Sequence, residues 1–129
     1  MHPNEELLRK GYEAFSTGDM ETVRSLFSDD IVWHAPGRNQ LAGDHRGADT
    51  VIGYFAKTFE LTEGTFRVEL HDVVANDEHV IALSRATGDR NGKHLDDKSV
   101  QVWHIKDGKV TEQWLYSGDP YTADEFWGS

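Results

Sequence analysis

Cysteine is absent from these 129 residues, which excludes disulfides, thiolate metal centres and cysteine nucleophiles and fits a reducing compartment. Cationic residues are scarce. Thirteen Lys and Arg stand against 23 Asp and Glu, a formal net charge of -10, so a phosphate backbone would meet a repulsive field and no nucleic-acid partner is expected. Charge of that size keeps a small protein soluble; it is not by itself an acidic-ligand or metal signature. No apolar run approaches the roughly 18 residues of a membrane span, and Met1–Lys10 is polar, so no membrane association is expected and the cytoplasm is the expected location. The seven histidines form no helical His-x-x-x-His pair and no dense cluster, so neither a metal nor a cofactor is expected. Gly43-Asp44-His45-Arg46-Gly47 lacks the spacing of a phosphate loop, which disfavours a nucleotide.

What the chain does have is aromatic mass: 11% of residues, with four tryptophans. Rings of that size belong in a core, a pocket or an interface. Residues 1–129 fit one domain, which buries roughly two thirds of its unfolded surface. From Asn4 to Leu26, Leu7, Leu8, Tyr12, Phe15, Val23 and Leu26 recur at helical spacing. Ser16-Thr17-Gly18-Asp19 interrupts them, giving two helices capped by Asn4 and Asp19, the second running to about Phe27. Ser28-Asp29-Asp30 ends that helix. Ile31–His34 reads as a short strand closed by Pro36-Gly37, a long loop follows from Gly37 to Gly47, and Ala48–Leu61 reads as a third helix. Four β-runs, Thr65–Val74, His79–Asp89, His94–Ile105 and Lys109–Ser117, are joined by hairpin-type turns, Asn91-Gly92 and Asp107-Gly108 being the clearest. The tail from Asp119, with Tyr121, Phe126 and Trp127, is expected to dock as a short helix or lid. Helices first and strands after is segregated order, so the fold class is α+β: a curved antiparallel sheet wrapped around three N-terminal helices, with a cavity between them.

The order of motifs is distinctive: Tyr12-Glu13-Ala14-Phe15 with Gly18-Asp19, Ile31-Val32-Trp33-His34-Ala35-Pro36-Gly37, Leu41-Ala42-Gly43-Asp44-His45-Arg46-Gly47, Val102-Trp103-His104, Asp107-Gly108-Lys109-Val110, and Glu112-Gln113-Trp114 ahead of Asp119. It resembles the SnoaL-like branch of the nuclear transport factor 2-like superfamily, related to ketosteroid isomerases and polyketide cyclases. The resemblance implies a cone-shaped α+β barrel with a pocket at its open end, and a homodimer through the outer face of the sheet. It does not name a reaction, because the fold carries isomerases, cyclases, lyases and plain binding modules.

Within the resemblance, Ala35 stands before Pro36 where a ketosteroid isomerase carries its general-base aspartate, so steroid isomerisation by that route is not expected. Tyr12 lies one residue out of register with the oxyanion tyrosine, and Asp97 falls near the protonated acid. Asp119 occupies the place of the cyclases' acid–base aspartate, with a turn residue before Pro120 as the alternative. Histidine is the side chain suited to proton transfer near neutral pH, so His34 and His45 are the other proton-transfer candidates, with ordinary loop or surface placement as the alternative. Strand alternation in the family register turns Asp97, Ser99, Gln101, Trp103, Gln113, Leu115 and Ser117 inward, and Val100, Val102, His104, Glu112, Trp114 and Tyr116 outward. Trp33, Tyr54, Phe55, Phe59 and Trp103 would line a site for a small hydrophobic molecule, or fill the cone as core, while Gln101 and Gln113 orient ligand oxygens. Arg85 either counters a ligand carboxylate or pairs with a strand neighbour. The leading expectation is a cofactor-free isomerase, cyclase or lyase acting on a small hydrophobic carbonyl or hydroxyl compound; the alternatives are a non-catalytic binding module and a dimeric scaffold.

Overall fold

The computed structural model describes residues 1–129. The elements are α1 (Pro3–Ser16), α2 (Met20–Ser25), β1 (Phe27–Ala35), β2 (Gly43–Arg46), α3 (Ala48–Leu61), β3 (Arg67–Ala75), β4 (His79–Arg90), β5 (Lys93–Lys106), β6 (Lys109–Ser117) and α4 (Pro120–Trp127). One six-stranded sheet has the order β2-β1-β6-β5-β4-β3. It is curved but unclosed, and α1 and α3 cover its concave face: Leu8 and Ala14 of α1 and Val51 and Phe55 of α3 pack with Ile31, Trp33, Val80, Ala82 and Trp103 of the strands.

Several elements depart from the sequence reading for identifiable reasons. His2, not Asn4, caps α1, its Nδ1 accepting from the Asn4 backbone N–H at 3.0 Å. The Asn4 side chain instead donates to the Asn76 and Asp77 carbonyls in the β3–β4 turn, tying the helix start to the sheet. Asp19 does cap α2, accepting from Thr22 N at 3.1 Å. That helix stops at Ser25 because Phe27 already belongs to β1. Ser28-Asp29-Asp30 reads as a helix stop yet lies within β1, where the register with β6 shifts between Phe27 and Val32 and leaves these polar residues at an irregularity in the ladder. The β1–β6 pairing is parallel, so the sheet is mixed although the β3–β6 meander is antiparallel. The expected long loop contains β2, which pairs with β1 from Val32↔Arg46 to Ala35↔Gly43.

The meander turns have the predicted chemistry. Asn91-Gly92 and Asp107-Gly108 all take positive φ, the two-residue geometry whose twist matches the flanking strands. At the end of the chain, Phe126 and Trp127 bury with Leu41 and Leu95 in a second apolar cluster. Backbone and side chain hold that helix down: Asp124 Oδ1 accepts from Arg38 N at 2.9 Å and Asn39 Nδ2 at 2.8 Å, and Gln40 Nε2 donates to the Trp127 carbonyl at 2.7 Å. The predicted docking tail is therefore α4, strapped to the loop after β1. No helix is long and apolar enough to cross a membrane.

Candidate functional site

Between the concave sheet face and the helices lies a cavity of about 130 Å³, with 18 of its 23 lining residues hydrophobic. A smaller chamber of about 50 Å³ adjoins it and shares Tyr54, Asp97, Leu115 and Trp127 as a common wall. The strands place the lining by alternation: Asp97, Ser99, Gln101 and Trp103 are successive inward positions of β5. Rings hold the walls rigid. Trp33 meets Phe55 edge-on at 4.9 Å and Trp103 at 5.4 Å, geometries that add roughly 0.5–1.5 kcal/mol each beyond area burial.

Polar groups interrupt this apolar surface at two places. In the first, the Tyr12 hydroxyl donates to Gln101 Oε1 at 2.7 Å, Ser84 Oγ donates to the same oxygen at 2.9 Å, and Gln101 Nε2 donates to Ser99 Oγ at 3.2 Å. Burial raises the Tyr12 phenol well above its ordinary value, with the hydrogen-bonding Trp103 indole acting in the other direction, and pushes Tyr54 up to about 12, opposed in the same way by the Trp33 indole. Both phenols are thus kept neutral and able to donate. In the second, the Asp97 carboxylate accepts from Ser117 Oγ at 2.7 Å and Gly118 N at 3.0 Å. Gly118 is required there: a Cβ would collide with the Lys98 carbonyl oxygen on the neighbouring strand.

Of the residues expected at the site, Tyr12, Trp33, Tyr54, Phe55, Asp97, Gln101 and Trp103 line the main cavity, while Ala35 lines the smaller chamber. Phe59 does not reach it and packs between Phe15, at 5.3 Å, and Phe66, at 6.1 Å. Gln113 points inward but is fully buried behind the wall, paired in register with both Trp33 and Trp103.

The three proton-transfer candidates lie elsewhere. Trp33 and His34 are successive strand residues and cannot share a face, so with Trp33 inside, His34 sits on the outer face. There Nδ1 meets Asp44 and Nε2 meets Glu112, each at 2.6 Å, and the ring stacks on Trp114. Partial burial lowers the His34 pKa, but the bonds to Glu112 and Asp44 outweigh it and the net shift is upward. His45 pairs in register with Trp33 and faces inward, yet its ring lies against Tyr54 and Nε2 bonds to the Leu41 carbonyl at 2.8 Å. Asp119 shares inward parity only if β6 continues; the strand ends at Ser117, Gly118 turns the chain, and Asp119 becomes the exposed cap of α4, accepting from Thr22's counterpart in that helix, Thr122, through N and Oγ1. Arg85 pairs with Asp96 at 2.7 and 2.6 Å on the outer surface. The sequence reading left out Ser84, Leu95 and Trp127 as contributors to the site; inward parity with Ser99 and Gln101 was the available signal for Ser84, whereas Leu95 and Trp127 meet only in three dimensions.

The model of the SnoaL-like domain family matches residues 8–113. The chain belongs to the SnoaL-like family. An uncharacterised Mycobacterium tuberculosis protein, Rv0034, is 33% identical over 123 residues, covering 95% of this chain and 94% of its own length. Bal32a, from a soil-derived mobile gene cassette, is 40% identical over 97% of this chain and 96% of its own, with a TM-score of 0.94. A Xanthomonas campestris protein of unknown function with a cystatin-like fold is 34% identical over the full length of both chains, with a TM-score of 0.92. At lower identity the likeness is one of fold: TerC, co-crystallised with polyporic acid, shares 21% identity over 99% of this chain and 100% of its own at a TM-score of 0.85. A SnoaL-like polyketide cyclase, so described provisionally, from Jannaschia shares 17% over 98% and 92% at 0.78.

Proposed function

We propose that this SnoaL-like protein takes a one- or two-ring hydrophobic compound bearing a carbonyl or hydroxyl group into the main cavity and moves a proton on it without a cofactor, as an isomerase, cyclase or lyase does. Asp97 is the acid–base in this reading, in place of His34 on the outer face, Asp119 at the exposed α4 cap and His45, whose inward ring is held by Tyr54 and the Leu41 carbonyl. The observation that carries it is the Asp97 carboxylate on the wall common to both chambers, fixed by Ser117 and Gly118 as proton transfer requires. Tyr54, neutral through burial, is suited to donate to an oxygen that gains charge as a proton leaves carbon, whereas the single Tyr12 proton is held by Gln101.

Size decides the substrate class. A dry apolar cavity of about 150 Å³ takes up benzene, so about 130 Å³ encloses one ring and extends a second towards the mouth. A four-ring ligand exceeds it. The shared fold of TerC, co-crystallised with polyporic acid, and of the Jannaschia cyclase supports an oxygenated ring compound. A homodimer through the outer sheet face belongs to the same reading, supported by the exposed Val74, Leu83 and Tyr116 on that side.

The test is hydrogen exchange at the α-carbon of 2-tetralone in D2O, followed by NMR. Wild-type protein is expected to accelerate exchange, and Asp97→Asn to lower the acceleration by roughly 100-fold or more with binding kept. Exchange at the buffer rate with binding intact refutes catalysis and leaves a binding module, the second reading favoured by the two donors already occupying Asp97. No binding at all refutes both.

A further inference from the structure

We infer that Asp97 makes the main cavity selective by charge: the site admits neutral ring compounds, holds those carrying a basic amine more tightly, and excludes those carrying a carboxylate, sulfonate or phosphate. The inference deepens the reading of the cavity as the ligand site and rests on it.

Asp97 is the one charged residue among the 23 that line the main cavity. The smaller chamber adds Asp124 to the shared Asp97 and likewise contains no Lys, Arg or His. The cations of neighbouring elements are directed elsewhere. Lys98, next to Asp97, has the opposite parity and stands on the outer face with its cross-strand neighbour Arg85, which is bound to Asp96. Arg90 and Lys93 donate to the Phe126 and Glu125 carbonyls of α4. His45 turns inward but lies against Tyr54, bonded to the Leu41 carbonyl, and lines neither chamber. Asp97 therefore receives only the Ser117 hydroxyl, at 2.7 Å on Oδ2, and the Gly118 N–H, at 3.0 Å on Oδ1. A carboxylate offers about four acceptor positions, so about two are left for a ligand. An ammonium N–H takes one as a charge-assisted bond, roughly twice as strong as a neutral one. Tyr54 and Trp127 share the wall with Asp97 and add ring faces that attract a cation. An anion meets the reverse: it sheds water on entering an apolar cavity, finds no cation to pair with, and lies beside a fixed negative charge. The Tyr54 hydroxyl steadies an oxygen that gains partial charge during proton transfer but supplies no full positive charge. Because Asp97 is also the proposed base, an ammonium bound to it blocks the path of the transferred proton, and such amines compete with 2-tetralone.

The experiment compares three probes built on one bicycle, tetralin, 2-aminotetralin and tetralin-2-carboxylate, by calorimetry at about pH 7, where the amine and the acid are both ionised. Relative to tetralin, the wild-type protein is expected to bind the amine at least about tenfold tighter and the carboxylate at least about tenfold weaker. Asp97→Asn is expected to bring the amine within about threefold of tetralin while keeping tetralin binding. That substitution removes one charge from a net -10, so an amine preference that survives it arises from the field of the whole protein and overturns the assignment to Asp97. A second measurement needs no variant: a local ion pair persists in about 0.5 M salt, where distant surface charges are screened, and an amine preference that vanishes there overturns the assignment as well. Equal binding of amine and carboxylate by the wild type overturns charge selection and leaves the cavity as a ligand site. Failure of both tetralin and 2-tetralone to bind overturns the cavity reading and the selection with it.

Discussion

Two glutamines on adjacent strands of the same inner face should respond to the same substitution with opposite sign. Gln113 is fully buried and its Nε2 and Oε1 have no partners. Replacing it by Met, a side chain of similar length and volume, removes an unpaired amide that costs about 1–3 kcal/mol and introduces a shape change that costs under about 1.5 kcal/mol. The expected net is a gain of about 1 kcal/mol in the ligand-free protein, a rise in Tm of roughly 3–5 °C for a domain of this length. Gln101 is also buried, but its Oε1 accepts from Tyr12 and Ser84 and its Nε2 donates to Ser99. Gln101→Met strands the Tyr12 hydroxyl and leaves Ser84 only its 3.2 Å contact with Ser99 Oγ, so a loss of roughly 1–3 kcal/mol is expected. Urea unfolding with a common slope, or calorimetry, reads both. A stability loss in Gln113→Met refutes the argument, because it would mean the amide is satisfied in solution; equal losses in both variants would show that alternation and volume, not hydrogen bonding, dominate at these positions.

Asp119→Ala removes the α4 cap and is expected to lower Tm modestly while leaving the 2-tetralone exchange rate near wild type, the reverse of Asp97→Asn. His34, raised in the folded state by Glu112 and Asp44, should titrate by NMR above the ordinary imidazole midpoint. Its contribution to stability is then complete below pH about 6.5 and disappears as pH rises through the elevated folded value; Asp44, lowered chiefly by its bond to His34, contributes above the ordinary carboxylate range and loses that as pH falls. A His34 midpoint at or below 6.5 refutes the clamp. Gly118→Ala is expected to destabilise by about 2 kcal/mol or more because its Cβ meets the Lys98 carbonyl, which chemical denaturation measures. Tyr116→Asp on the outer face is expected to convert a dimer to a monomer by light scattering, and an unchanged mass refutes the outer-face pairing.

The histidines and Asp119 show where reading the sequence reached its limit. The faces of β5 were legible through the family register and not from composition, because Asp97, Ser99 and Gln101 face inward while Val100 and Val102 face outward; alternation, applied to adjacent Trp33 and His34, already forbids both from facing the cavity. Asp119 misled because parity counts only while a strand lasts, and Gly118 ends it. Ser28-Asp29-Asp30 misled because its composition is that of a turn, while the β6 residues that pair with Phe27 and Val32 on either side of it are distant in the chain. Asp97 was visible through the resemblance as a site residue, but its role as the carboxylate shared by two chambers depends on Leu115 and Trp127 arriving from β6 and α4.

Local chemistry in the sequence determined the three N-terminal helices, the four-strand meander with its Asn91-Gly92 and Asp107-Gly108 turns and the docked aromatic tail, since periodicity and turn residues act over a few positions, while the SnoaL-like family was legible only as a resemblance in the order of motifs. Only the tertiary structure decided which side chains meet: the parallel β1–β6 pairing, the outward His34 held by two carboxylates, and the edge-on meeting of Trp33 with Trp103. Those depend on register between strands far apart in the chain, where one residue of slip reverses every face.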